Sequence, residues 1–423
     1  MGRIISIILI AATIAFSASW CVHSDGGNDA WPGTSPDSAF ATLGAATTSM
    51  SPGDSCLACG AFHETLTLLD GSHEGCAFIP WPDSGSWTID GDTVRYCIYS
   101  GTSIGYNNEP VVIIRGMNAI DGADWCVNAT SQKAGIVFES CSLDTKSNGI
   151  WTYIAYIELD SCFIHTQEQC IRADGSTVRI ANSILESDSN YCVYNYQTAS
   201  ILESCGNGYF GYGGVYGYKG LSAIMIEDSF RVRENAIYLW QRPPQSFSLK
   251  KCLFVGSKYG IYTVSYSGSS PLVSLSNCTF DSVDYAVYLS SNTHYDLFVS
   301  NSVIAHGEIA FHNIHNFVAE GLVIYDFSVD TEGVITPIDY YTFDPQLDSA
   351  HVATADSAKM VGVNTAFGSD APLWDDRGYW FRDDFGIPAI GWRSPYTDTG
   401  WPDTKCDIIA KKWGIRSPGR RLK

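Results

Sequence analysis

The sequence predicts an all-β fold, a parallel β-solenoid with coils of about 21–26 residues. Three observations carry this. Two short patterns recur through the middle of the chain, they alternate with the same period, and no amphipathic helix of useful length fits between them. The first pattern is a small residue, Ile or Val, then an aromatic or polar residue. It runs from Cys76-Ala77-Phe78 and Cys97-Ile98-Tyr99 to Gly260-Ile261-Tyr262 and Ala286-Val287-Tyr288. Its successive spacings are 21, 29, 23, 21, 22, 22, 22, 24 and 26 residues. The second pattern is apolar-x-apolar-x, a polar residue, Cys or Ser, any residue, apolar. Its Cys/Ser column reads Cys141, Cys162, Ser183, Cys205, Ser229, Cys252, Cys278, Ser302.

Two interleaved columns with one period mean one structural unit per repeat. A unit of about 22 residues made only of strands and turns is a solenoid coil. The Leu-x-x-Leu-x-Leu pattern of leucine-rich repeats is missing, and propeller blades need about 40 residues. Apolar residues at 45% and charged residues at 17% describe a folded chain. With 45 acidic and 25 basic side chains the formal net charge is -20. That acidity argues against nucleic acid and anionic membranes as partners, since both require a basic face. An acidic substrate would need a cation or a local basic patch.

The chain opens with Arg3, the apolar run 4–16 and the small residues Ser17, Ala18 and Ser19. This reads as a secretory signal peptide over residues 1–19, too short to span a bilayer. The expected location is therefore secreted, extracellular or at the cell surface, without a transmembrane span.

Residues at both ends and in the repeats resemble the right-handed parallel β-helix superfamily that includes the pectate-lyase-like proteins. At the start these are Trp20-Cys21-Val22-His23-Ser24, Gly27-Asn28-Asp29, Pro32-Gly33-Thr34, Phe40-Ala41-Thr42-Leu43, Pro52-Gly53-Asp54 and Gly60-Ala61-Phe62-His63-Glu64. They are similar to the opening of secreted bacterial β-helix proteins. Asp344-Pro345-Gln346-Leu347-Asp348 and Asp384-Phe385-Gly386-Ile387-Pro388 resemble its closing segment. The resemblance covers roughly residues 20–390 and implies a single-stranded right-handed parallel β-helix with N- and C-terminal caps. The expected division is a β-helix with its N-terminal cap over 20–345, a capping segment over 346–400 and a basic tail over 401–423. The fold hosts many functions, so it says little about activity.

Equivalent residues of successive coils stack ~4.8 Å apart. In Ile237-Tyr238-Leu239-Trp240, alternation sends Ile and Leu inward and Tyr and Trp outward. In the second pattern Leu249 points in and Lys250 out. Ten of the 14 cysteines fall in the two columns, where Ser, Gly and Ala substitute for them. That favours stacks of small buried side chains over disulfides. Cys21, Cys56, Cys59 and Cys406 are the better disulfide candidates, with pairing open. Cys56-x-x-Cys59 lacks the second pair that a zinc site needs.

The first pattern leaves an outward stripe of Trp151, Arg172, Tyr194, Tyr216, Tyr238, Tyr262 and Tyr288, with Trp240 beside it. A row of flat rings at coil spacing suits successive sugars of a polysaccharide, anchors a protein partner, or serves packing alone. The second pattern leaves an outward charged stripe of Glu139, Asp160, Ala181, Glu203, Glu227, Lys250, Ser276, Ser300 and Glu320, with Asp228 and Lys251 beside it. Stacked carboxylates repel unless a cation intervenes, so Glu139, Asp160, Glu203, Glu227 and Asp228 are candidate Ca²⁺ ligands.

The resemblance adds a lyase reading. A uronic-acid polymer is cleaved by neutralising the sugar carboxylate, removing its α-proton and assisting the leaving oxygen. Lys250 or Lys251 would be the base and Arg172 or Arg179 the neutralising group. A hydrolase reading lacks a Gly-His-Gly turn, and the Asp pairs 375–376 and 383–384 lie beyond the repeats.

The Gly/Tyr-rich stretch 209–218 is expected to break one coil with a mobile aromatic turn. Asn128-Ala129-Thr130 and Asn277-Cys278-Thr279 match the glycosylation acceptor. The expectation is contact with extracellular polysaccharide along a solenoid face, with polysaccharide lyase as the enzyme class if there is one. The alternative is a non-catalytic surface or adhesive protein that binds a protein partner.

Overall fold

A computed structural model describes residues 17–347, apart from 69–71, 83, 93, 101–110, 131–134, 197–199, 219, 241–245, 265–271, 291–295, 315, 334–339 and 343. The all-β architecture read from the repeats is the one observed, a single-stranded parallel β-helix of about 10 turns. Its strands build three faces. The first is a 13-stranded parallel sheet running from Ser19–His23 to Asn316–Glu320. The second holds short strands such as Phe163–Thr166, and the third strands such as Ile171–Asp174. These two join into one 20-stranded sheet because long strands such as Ile184–Asn195 and Gly208–Gly217 run round the corner between them. The expected signal segment through residue 16, the expected capping segment beyond 347, the basic tail, Cys406 and both Asp pairs lie outside the described residues. Among the described residues no helix is long and apolar enough to cross a membrane.

One residue makes each corner between the first and second faces. Ser140, Ser161, Asn182, Glu227, Lys251, Asn277 and Asn301 hold φ of 53, 56, 50, 56, 53, 55 and 46°, and Gly206 completes the series with 69°. Left-handed backbone turns the chain sharply within one residue. The N–H of each corner then donates to the next coil, as Ser161 does to Ala181 at 3.0 Å and Lys251 to Ser276 at 2.9 Å. Asn277 is such a corner and is buried, and Asn128 is buried as well. Both glycosylation motifs are therefore shielded.

The residue after each corner turns inward; the cysteines and Asn207 there donate to a carbonyl of the preceding coil, and Ser183 and Ser302 to a carbonyl two residues back in their own. Cys162 Sγ reaches Phe138 O at 3.4 Å, Cys252 Sγ reaches Met225 O at 3.5 Å, and Cys278 Sγ reaches Leu249 O at 3.5 Å. This corrects the Cys/Ser column in two coils. Asn207, not Cys205, fills the place, with Nδ2 on Ile180 O at 2.9 Å. Asp228, not Ser229, fills the next. Matching by side-chain type missed them because the column selects for small polar groups that reach a carbonyl, and Asn and Asp qualify. Cys205 instead faces outward in register with Ala181 and Ile226.

Cys76 also leaves its expected column, because Ala77–Pro80 belongs to the first face. The remaining small-residue column, including Cys97, Cys126, Cys170 and Cys192, is buried. Its size complements the core opposite. Tyr209, Phe230, Phe254 and Phe280 stack inside the coils with centroids 4.7, 4.9 and 4.2 Å apart. Facing them stand Gly214, Ala236, Gly260 and Ala286, and a Cβ at Gly260 would lie 2.7 Å from the Phe280 ring. Dense interiors leave no room for a second large side chain there. Cys21, Cys56 and Cys59, the disulfide candidates, are free thiols.

Stretch 209–218 forms no break. It is a regular strand, Gly208–Gly217, and its glycines permit close approach to neighbours. A Cβ at Gly211 (φ +97°) would fall 2.0 Å from Ser187 O. The N-terminal motif residues are caps and turn locks. Thr42 caps the helix Leu43–Ser49, Asp29 holds the Ala41 and Thr42 N–H groups at 2.8 and 3.0 Å, and Glu64 accepts from Leu43 at 2.6 Å.

Asp228 is the one acid in the inward column, and burial pushes its carboxyl up to about 7. Its Oδ1 accepts from Asn207 N at 2.8 Å, while Oδ2 has no partner among the described residues. Tyr209 and Cys252 are the titratable groups beside it. The folded state therefore keeps a proton that the unfolded chain releases near pH 3.8. The stability this proton provides is complete below that value and falls as pH rises to about 7, by roughly 4 kcal/mol. Asp228→Asn donates as Asn207 does, so urea unfolding of this variant should lose that pH slope and exceed the natural protein in stability at neutral pH.

Candidate functional site: a tyrosine-rich face

The third face carries the predicted aromatic stripe in one register. Trp151 pairs with Arg172, Arg172 with Tyr194, and Tyr194 with Tyr216. Tyr216 pairs with Tyr238, Tyr238 with Tyr262, Tyr262 with Tyr288, and Tyr288 with His312. Strand alternation projects these side chains outward while Ile171, Val193, Val215, Ile237 and Ile261 fill the core.

The rings stack on each other. Tyr194 and Tyr216 lie 4.6 Å apart and 6° from parallel, and Tyr288 and His312 lie 4.1 Å apart at 7°. Tyr238 stands 5.0 Å from Tyr262 and Tyr262 5.4 Å from Tyr288, with tilts of 31° and 30°. The expected row of flat faces open to a ligand is thus corrected. Most faces cover one another, and ring edges and phenol hydroxyls line the surface instead. Burial raises the Tyr194 and Tyr216 phenols above their ordinary value, so they remain protonated donors. The row is half-buried, with Tyr216 deepest.

A second row widens the face. Tyr196 stacks on Tyr218 at 5.0 Å, and Tyr218 packs on Trp240 at 5.8 Å. On the other side Tyr259 stacks on Tyr285 at 4.9 Å, and each edges Tyr288 at 5.4 Å. These residues stand two after or three before the stripe positions, so an alignment of coils at the repeat period would have found them. Arg172 lies over Trp151 at 5.5 Å and over Tyr196 at 5.8 Å, and its Nε meets Asp174 Oδ2 at 2.9 Å.

The predicted charged stripe divides into separate columns. Glu139, Asp160, Ala181, Cys205, Ile226, Lys250 and Ser276 form one outward column of the first face. Its middle is apolar, where Ala181, Cys205, Ile224 and Ile226 cluster apart from the core. Glu158, Arg179 and Glu203 form the adjacent column. Glu227 and Lys251 are corners, and Asp228 points inward. The error came from counting Glu203 and Glu227 at equal offsets, although the corner residue is Gly206 in that coil.

Each predicted acid has its own neighbour. Arg115 pairs with Glu139, Asn182 Nδ2 donates to Asp160 at 3.2 Å, and Lys251 Nζ meets Glu227 at 3.2 Å. Glu203 takes Arg179 Nε at 2.9 Å, and Arg179 Nη1 reaches Tyr156 Oη at 3.0 Å and Glu158 at 3.5 Å. Arg179 and Glu203 are each 1% exposed. Burial would lower the Arg179 pKa, but Tyr156, Glu203 and Glu158 outweigh it and raise the value. Among the described residues no group of three or more His, Cys, Asp or Glu is placed to share a metal ion. Lys250 projects from the core as expected yet is 4% exposed. Lys250 and Lys251 belong to the first face and its corner and Arg172 to the third, while Arg179 shares the first face but is enclosed and paired with Glu203.

No protein-family model matches the chain, and no curated protein matches it.

Two measurements follow from this geometry. Removing Arg179 strands Glu203 in the protein, so Arg179→Met should cost about 3–5 kcal/mol in urea unfolding, and adding Glu203→Leu should recover most of it. In a double-mutant cycle, Tyr194→Leu and Tyr216→Leu should show a coupling of about 0.5–1.5 kcal/mol from their stacked rings.

Proposed function

We propose that this protein works outside the cell and contacts polysaccharide along its tyrosine-rich third face, as a binder. The observation that carries the reading is the in-register aromatic row from Trp151 to His312, interrupted only by Arg172. A polymer repeats its contacts along one direction, and this face repeats its edges and hydroxyls along the solenoid axis. Sugar hydroxyl and ring oxygens suit electropositive ring edges and phenols that donate and accept, and sugar C–H groups suit ring faces where these are open. The separation of Lys250 and Lys251 from Arg172, and the commitment of buried Arg179 to Glu203, favour binding over β-elimination.

Native gels containing soluble polysaccharides test this. At least one polymer should retard the protein, and Tyr238→Ala with Tyr262→Ala should weaken retardation about fivefold per ring, the factor for ~1 kcal/mol. An unsaturated sugar product appearing in the ultraviolet with a polyuronate would replace the binder with a lyase. Unretarded migration with every polymer would end the polysaccharide reading.

A further inference from the structure

The chemistry around the aromatic face indicates which sugars it takes. Its C-terminal half is a cluster of four phenol rings, Tyr259, Tyr262, Tyr285 and Tyr288, meeting at 4.8–5.4 Å with interplanar angles from 22 to 81°. Where this mixed packing leaves a ring face open, as at Tyr259 beneath Lys258, that face presents partial negative charge. Carboxylates frame the same cluster. Glu308 accepts from the Tyr285 hydroxyl, which is raised by that bond to about 12. Asp284 lies beside Glu308 and is raised by burial and by that like charge. Glu332 lies near Tyr288 and 3.7 Å from His312 Nε2.

Cations already occupy ring faces on this surface. The exposed Lys258 ammonium sits 5.4 Å from the centre of the Tyr259 ring, and the Arg172 guanidinium covers Trp151 and Tyr196. The rings and acids therefore form a surface that attracts ammonium groups, and a uronate carboxylate would meet like charge. We propose that the ligand of this face is a polysaccharide bearing free amines, an amino-sugar polymer, whose ammonium groups take the place that Lys258 holds over the tyrosines. This rests on the polysaccharide reading above and specifies its substrate class.

Calorimetric titration at mildly acidic pH tests it with a glucosamine hexamer, its N-acetylated counterpart and a galacturonate hexamer. The glucosamine hexamer should bind about tenfold tighter than the acetylated one, the difference expected of one or two ammonium contacts. Glu308→Gln should weaken it several-fold, and Lys258→Met should tighten it. Asp37→Asn removes the same charge from an exposed turn remote from the face and should leave binding unchanged. Equal or tighter binding of the acetylated or galacturonate hexamer overturns the amine inference and leaves the polysaccharide reading standing. Equal weakening by Asp37→Asn reduces the effect to net charge and also overturns it. Binding of none of the three overturns the amine inference, and only unretarded migration with every polymer in the native gel would end the polysaccharide reading as well.

Discussion

The structure depends on a single-residue corner repeated coil after coil. A residue in the left-handed region turns the chain from the first face to the second, and its N–H is committed to the next coil. Left-handed backbone is unfavourable for most side chains, which explains Asn, Ser and Gly at these places. Glu227 and Lys251 occupy it too, and their side chains pair across adjacent coils at 3.2 Å. With the corners aligned, every residue between them is held in register with its counterpart. A shift of one residue would exchange core and surface along the whole strand.

Register converts sequence into columns, and each column must tolerate its own stacking. Aromatic columns do so readily, inside as Phe230, Phe254 and Phe280 and outside as Tyr194 and Tyr216. Charged columns tolerate it with alternation, as in Glu158, Arg179 and Glu203, or with a partner for each acid, as Arg115 for Glu139 and Asn182 for Asp160. The inward polar column tolerates it because its cysteines and Asn207 donate to a carbonyl of the coil before and its serines to a carbonyl of their own coil. Asp228 satisfies that rule only in its protonated form. The same stacking that builds the tyrosine face also covers its rings, so the surface offers edges and hydroxyls where isolated side chains would offer planes.

Much of the fold and part of the candidate site were legible. Trp151, Tyr194, Tyr216, Tyr238, Tyr262 and Tyr288 appear in one column because alternation and the repeat period both mark them. The flanking Tyr259, Tyr285, Tyr196 and Tyr218 carry the same period at fixed offsets. The charged stripe was less legible, because acids occur at several offsets in the second pattern and only the corner says which offset is which. Gly206 in place of a polar corner hid that frame. Burial of Lys250 was not readable either, since alternation assigns a side of the sheet but not what lies against it.

The sequence by itself determined the solenoid, its period, the inward and outward assignment of the repeated strands and the aromatic column. Those follow from local alternation and repetition, which need no knowledge of distant contacts. Tertiary structure alone decided that Asn207 and Asp228 belong to the inward column, that Arg179 is enclosed by Tyr156, Glu158 and Glu203, and that the tyrosine rings pack on one another in stacked, tilted and edge-on pairs. Each of these depends on distances between residues a full coil or more apart. Such distances are set by corner geometry and side-chain rotamers, and residue spacing along the chain does not contain them.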